Sequence, residues 1–256
     1  MEFQCVLEMK NIRKSFGGLH ALVDVSLDVR CGEILGVVGD NAAGKSTLMK
    51  ILTGFYHPDS GRIFVDGRQV FIDSPRTSKR LGIEMVYQNL ELCQNLNVPE
   101  NLFLGQEMIR DRVFTFLKRK KMEEKSLEIL HRLKIDIKDP RKNVDKLSGG
   151  QQQAVAIGKA VSFNPKLLVL DEPTANLAIK EIDKVLELVM RLKENGIPVI
   201  FISHRLDDVF KVCDRIFVLR RGKVAAVRET SQTHHDEIVR YMFLGGDGEP
   251  ETESSA

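Results

Sequence analysis

No stretch of this 256-residue chain approaches the roughly 20 consecutive apolar residues that a membrane-spanning helix requires. Its first residues, MEFQCVLEMK, show no apolar run behind a basic start, so no secretory leader is expected. Any work at a membrane would therefore go through partner proteins. Cysteine is scarce and scattered. Cys5, Cys31, Cys93 and Cys213 form no pair with zinc or redox spacing, and they read as reduced core thiols of a cytosolic protein. A charge excess is also missing: 38 Lys and Arg face 36 Asp and Glu, a net charge of +2, which argues against a dedicated nucleic-acid binder. What remains is an ordinary globular composition, 43% hydrophobic and 29% charged, sufficient for a sizeable core without disulfides or metal.

The hydropathy pattern alternates between strand and helix. Val23, Val25, Leu27 and Val29 alternate with polar residues, the period of a half-buried strand. EILGVVG (33–39) is a continuous apolar run ending in glycine, as a strand buried on both faces should be. STLMKILTG follows with helical spacing of Leu48, Ile51 and Leu52 and a stop at Gly54. PDSG (58–61) reads as a turn, and RIFVDGRQVFI (62–72) as a hairpin around Asp66-Gly67. Residues 90–160 change character. VFTFLKRKKMEEKSLEILHRLKI is charged and helix-forming, with Leu127, Leu130 and Leu133 at helical spacing. Buried-strand runs return in KLLVLDEP and IPVIFISH, separated by a helical segment, and RIFVLRRGKVAAV (215–227) is a second hairpin. This predicts an α/β fold with a helical block inserted into the sequence of the sheet. No internal repeat is found, and the acidic end GGDGEPETESSA is expected to be a disordered tail.

GDNAAGKST (39–47) fits the spacing G-x-x-x-x-G-K-[ST] between a buried strand and a helix, the context that this motif requires. Glycines let the backbone curl so that successive N–H groups face phosphate oxygens, and the following helix adds its positive end. Gly39, Asp40, Asn41, Ala42, Ala43, Gly44, Lys45, Ser46 and Thr47 are the expected phosphate-binding residues. Lys45 would reach the β- and γ-phosphates and Ser46 would ligate Mg²⁺. Such a loop needs an acid at the end of a neighbouring strand; LLVLDEP supplies Asp171 for the metal, and Glu172 next to it could activate water. In KLSGGQQQ, Ser148, Gly149, Gly150 and Gln151 open a predicted helix and make a second anion site.

These motifs, in this order, resemble the ATP-binding subunits of ABC transporters over residues 3 to about 243. The resemblance implies a P-loop NTPase (ABC ATPase) core, about 3–89 and 162–243, with an antiparallel β subdomain, an inserted α-helical signature subdomain, about 90–161, and a tail from 244. Residues 39–46 match Walker A, Leu167 to Asp171 match Walker B, and Glu172 stands at the catalytic glutamate. Gln88 in MVYQNLEL matches the Q-loop glutamine, which in the family contacts Mg²⁺ and water, and His204 in VIFISHRLDDVF matches the switch histidine at the γ-phosphate. Phe16 lies where the family stacks an aromatic ring on adenine. The resemblance implies ATP and Mg²⁺ as ligands, with Ser46, Gln88 and Asp171 at the metal. It also implies a second ATPase subunit bound head to tail, so that the signature motif of one copy, matched here by Ser148, Gly149 and Gly150, covers the ATP of the other. The remaining implied partners are integral-membrane permease subunits, indirectly an extracytoplasmic sugar-binding protein, and no nucleic acid. The expected place is peripheral, on the cytoplasmic face of the cell membrane.

Within the family, GEILGVVGDNAAGKSTLMKILTG and DEPTANLAIKE are most similar to monosaccharide importers of the ribose, xylose and fructose type. FGGLHAL is also similar to branched-chain amino acid importers, and a soluble, non-transport ABC ATPase is a further alternative. Three positions depart from the family pattern. Ala42 stands where glycine is usual: a left-handed backbone there would cost alanine about 1–2 kcal/mol, whereas a right-handed one would accept it. The inward N–H persists either way, so the loop is expected to hold phosphate. TANLAIKE lacks the D-loop aspartate, with Asn176 and Ala178 in that region, and Lys159 replaces an arginine. LKRKK (117–121) reads as a solvated helix face, and HHDE (234–237) as a helix start and not a metal site.

Overall fold

The computed structural model describes residues 5–109 and 116–244. Strands β1 (Cys5–Phe16) and β2 (Leu19–Arg30) pair antiparallel across a turn containing Gly17, and β1 also pairs with β4 (Ser60–Val65). β4 continues into β5 (Arg68–Val70) through Asp66 and Gly67, both left-handed at φ 49° and 72°, the requirement of a two-residue hairpin turn. The result is a four-stranded antiparallel sheet in the order β2-β1-β4-β5.

A second sheet of six strands contains β3 (Ile34–Val38), β6 (Ile83–Val86), β7 (Leu167–Asp171), β8 (Val199–Ile202), β9 (Arg215–Arg220) and β10 (Lys223–Glu229). Its order is β10-β9-β3-β8-β7-β6, parallel throughout except for the β9–β10 hairpin. Every residue of β3 is buried, as its unbroken apolar sequence predicts. Its side chains still alternate. Ile34 and Val38 join one core cluster, whereas Leu35 and Val37 join the other. Gly36 is required between them, because a Cβ there would lie 2.8 Å from Val209 of the helix packed above.

Helices cover both faces. α1 (Lys45–Leu52) buries Leu48, Ile51 and Leu52, with Gly54 left-handed just past its end. α2 (Pro75–Arg80) is capped by Ser74, and α3 (Val98–Leu102) by a reciprocal Asn97–Glu100 box. α4 (Arg119–Arg132) and α5 (Gly149–Ser162) complete the helical block, whose core includes Val98, Leu102, Met122, Leu130 and Val155. α5 is shared: Ala156, Ile157 and Val161 belong to the core of the large sheet. α6 (Ile179–Glu194), α7 (Leu206–Val212) and α8 (His235–Phe243) pack on that same face.

Several expectations shift. Leu127 is 48% exposed; only Leu130 and Leu133 of the expected stripe are buried. On β2, Leu22 is buried and Val23 only partly so, because Asp24 adopts φ 62° and breaks the alternation next to a register shift with β1. The strand bearing Asp171 is not a direct neighbour of the phosphate-loop strand: β8 lies between them. Lys118 to Lys121 are exposed, and HHDE forms the start of α8, where His235 stacks on Phe210 at 4.2 Å. The four cysteines are unbridged, but only Cys213 is a buried core thiol; Cys31 is exposed, and Cys5 and Cys93 are half-buried. Leu244 alone of the expected tail is among the described residues, and residues 3–4 and the start of the charged segment (113–115) also lie outside them.

Arg215 at the start of β9 joins the two sheets. Its guanidinium donates to Glu33 at 3.1 Å and to Asp28 of β2 at 3.0 and 3.1 Å. Burial raises the Glu33 carboxyl above its usual range, against the pull of backbone and arginine donors.

Candidate nucleotide site

β3 ends at Val38 and the chain turns through residues 39–44 into α1. Gly39 has φ 154°, and a Cβ on it would lie 2.2 Å from the Leu219 carbonyl oxygen. Gly44, at φ 107°, would place one 2.8 Å from the Ala21 carbonyl oxygen. Both glycines are therefore demanded by sterics. Ala42 is left-handed, at φ 68°, so the strained alternative holds. The turn persists because Ala43 N–H donates to Asp40 O at 3.2 Å and Gly222 N–H donates to Ala43 O at 2.9 Å. Among the described residues no side chain caps α1.

Lys45 folds back over the loop, its Nζ donating to Gly39 O at 2.6 Å and Asp40 O at 2.9 Å. Burial lowers its pKa, while the charges of Glu172, Asp40 and Asp171 work to keep it protonated. Asp171 ends β7; burial, then the charge of Glu172, raises its pKa, and Lys45 and Lys50 oppose that rise. Consecutive residues of a strand would face opposite ways. Glu172 escapes this rule by a left-handed φ of 50°, held by its N–H donating to Ile202 O at 2.9 Å, and both carboxylates line one cleft.

That cleft measures about 570 Å³ and is lined by Phe16, by residues 40–47 of the loop and by Gln88, Asp171 and Glu172. Phe16 is 42% exposed and meets Tyr56 edge to face at 5.1 Å. His204, beyond β8, contacts Glu172 from its Nδ1 at 2.8 Å; the carboxylate can only accept, so Nδ1 carries the proton. Ser46, Gln88 and Asp171 offer a hydroxyl, an amide oxygen and a carboxylate to the same space. This is a hard-oxygen set too small for a resident ion, and it suits a Mg²⁺ that arrives with phosphate oxygens and water.

Ser148, Gly149, Gly150 and Gln151 are elsewhere. Ser148 caps α5 from outside the cleft, with Gln151 N–H donating to its Oγ and Ser148 N–H donating to Gln151 Oε1. Gln151 is thus committed to the cap, and its Nε2 donates to Asp136 O at 3.0 Å. Ser148, Gly150 and Gln151 border a separate cavity of about 430 Å³. The two groups of expected residues therefore border separate cavities of one chain and do not close on one another.

Sequence reasoning missed two supports. Thr174 Oγ1 donates to Asp208 Oδ2 at 2.7 Å and Arg205 Nε donates to the same oxygen at 3.0 Å, with Asp208 only 1% exposed. This buried knot ties the segment after Glu172 to the helix after His204. The doubled aspartate in HRLDDVF was its only local signal. The second is Glu181, whose carboxylate accepts from Gly150 N–H at 3.3 Å. His20 and Arg221 also border the nucleotide cleft.

Residues 22–175 match the family model described as "ABC transporter". The chain is 43% identical over 237 residues to the xylose/arabinose import ATP-binding protein XylG of Sulfolobus acidocaldarius, covering 93% of both. It is 41% identical to the ribose import ATP-binding protein RbsA of Geobacillus kaustophilus over 93% of this chain, but it spans only 48% of that protein. A nucleotide-free ATP-binding cassette from an ABC transporter superposes with a TM-score of 0.79 at 30% identity, covering 94% of this chain and 95% of that one. A dimeric ATP-binding cassette in a post-hydrolysis state with ADP and Pi superposes at 0.72 and 26% identity, covering 88% and 98%.

Proposed function

From the premise that this chain belongs to the ABC transporter family, we propose that it binds and hydrolyses MgATP to energise a membrane importer for a monosaccharide. The observation that carries the catalytic part is the meeting of Glu172 with His204 at 2.8 Å beside a cleft that also holds Lys45 and Asp171. The sugar is supported by the xylose/arabinose relative, which matches at nearly full length on both sides.

In this reading Phe16 stacks on the base, and the free N–H groups of the loop and of α1 receive the phosphates. Lys45 exchanges the Gly39 and Asp40 carbonyls for β- and γ-phosphate oxygens. Ser46, Gln88 and Asp171 would hold a Mg²⁺ that would neutralise phosphate charge. Glu172 takes a proton as water attacks the γ-phosphorus, and the bond to the β–γ bridging oxygen breaks, leaving ADP and phosphate. His204 orients the Glu172 carboxylate. The signature residues Ser148, Gly149, Gly150 and Gln151 complete the site of a second, head-to-tail copy, a pairing supported by their distance from this chain's own cleft and by the dimeric relative.

Among the described residues no helix is long and apolar enough to cross a membrane. The chain would act peripherally on the cytoplasmic face, with permease subunits that co-purify from native membranes and a sugar-binding protein upstream of them. Glu172→Gln tests the catalytic assignment. Phosphate release should fall by about 10²- to 10⁴-fold while ATP binding persists; equal turnover in mutant and parent would remove Glu172 from that role.

A further inference from the structure

The capping position before α6 is Ala178, which has no side-chain acceptor for the free N–H groups of the first turn. Glu181, three residues on, reaches back instead, and its Oε2 accepts from Ala178 N–H at 3.4 Å. Its other oxygen crosses to the signature helix and accepts from Gly150 N–H at 3.3 Å. The Ser148 hydroxyl and then the Gly150 N–H hold its carboxyl below the usual glutamate range.

The two signature glycines are fitted to this contact. A Cβ on Gly150 would lie 2.9 Å from Glu181 Cβ, and one on Gly149 would lie 3.0 Å from Leu177 Cδ2. The start of α5 is thus pressed against the start of α6, and a carboxylate of the same chain rests on donors suited to phosphate. Glu181 is partly exposed, beside the 430 Å³ cavity, so the side chain has room to leave.

We propose that Glu181 is a positioning residue of the signature: it holds the Ser148 and Gly150 donors in the open chain and is displaced from them by the γ-phosphate bound to a second copy. The inference rests on the head-to-tail reading above. The physical reason is that two anions cannot share one set of donors without repulsion, and the first must move aside or weaken the second. The carboxylate keeps the donors arranged but raises the ATP concentration at which two subunits close.

The test uses the full chain carrying Glu172→Gln, in which hydrolysis no longer dissolves the closed pair. ATP-driven dimerisation is followed by analytical ultracentrifugation across MgATP concentrations, with and without Glu181→Gln. Glutamine keeps an acceptor for Gly150 N–H and removes the charge. Half-saturation should fall about threefold to tenfold, while ADP affinity of the single subunit, measured at its own cleft, stays within about twofold. Glu181→Ala removes the acceptor too, and should show a lower Tm than the glutamine variant. An unchanged or higher half-saturation in Glu181→Gln would overturn the inference and leave the head-to-tail reading standing. Failure of the Glu172→Gln parent to dimerise with ATP would overturn that reading, and this inference with it.

Discussion

α1 and α5 each begin where backbone N–H groups could meet phosphate oxygens, and they prepare for it in opposite ways. Before α1 the backbone is forced. Gly39 and Gly44 stand where any Cβ would strike a carbonyl oxygen, Ala42 is left-handed, no side chain among the described residues caps the helix, and the nearby cation bonds to two carbonyls. Before α5 the backbone is relaxed: Ser148 and Gln151 satisfy one another in a reciprocal cap, and Glu181 covers Gly150. The first start is organised for a phosphate at the expense of local strain. The second is already satisfied, and on the proposed reading a phosphate competes for it. On the proposed reading, one chain holds a nucleotide at the first start and a second chain encloses it with the other.

The largest effect that would sharpen this contrast is at the cation. Lys45→Ala should lower ATP and ADP affinity of the isolated chain by about 100-fold in calorimetry, since hydrogen bonds to a charged group are each worth about 1.5–3 kcal/mol. Ser148→Ala should leave ADP affinity within about twofold. Equal losses would break the division into an autonomous and a dependent half-site.

Next come the glycines. Gly44→Ala sets a side chain at φ 107° against the backbone oxygen of Ala21 and should cost about 2–3 kcal/mol in denaturant unfolding. Gly149→Ala meets only the flexible ends of the Leu177 and Glu181 side chains, at a helix position that favours alanine, and should cost less than about 1 kcal/mol. Similar costs would mean that both backbones are equally constrained. The smallest effect is Ala42→Gly, which relieves a left-handed alanine and should stabilise the chain by about 1 kcal/mol, or about 2–4 °C in Tm. A fall in Tm would show that the loop is not strained at that residue.

Much of this architecture was legible in advance where the signal is local. β3, β7 and β8 were visible as apolar runs, the β4–β5 hairpin as the Asp66-Gly67 turn, and the phosphate loop as spaced glycines followed by lysine and serine between a strand and a helix. The signal failed where a neighbour in space decided the outcome. Leu127 has the spacing of Leu130, but the helix rotates it away from the core that Leu130 enters. The bulge at Asp24 changes which valines and leucines of β2 face inward, because the partner strand sets the register. The conformation of Ala42 was open between two choices, and the contacts of Ala43 with Asp40 and Gly222 accompany the strained one.

By itself, then, the sequence determined the elements, the composition of the phosphate loop and the family motifs, because each depends on residues within a few positions of one another. Tertiary structure alone decided that β8 separates the loop strand from the strand of Asp171, that Glu172 meets His204 across 32 positions, and that Glu181 reaches Gly150 across 31. Those contacts follow from strand order and helix packing, which are selected by burying whole apolar faces. A side chain of few atoms carries no local mark of the partner that such packing will bring to it.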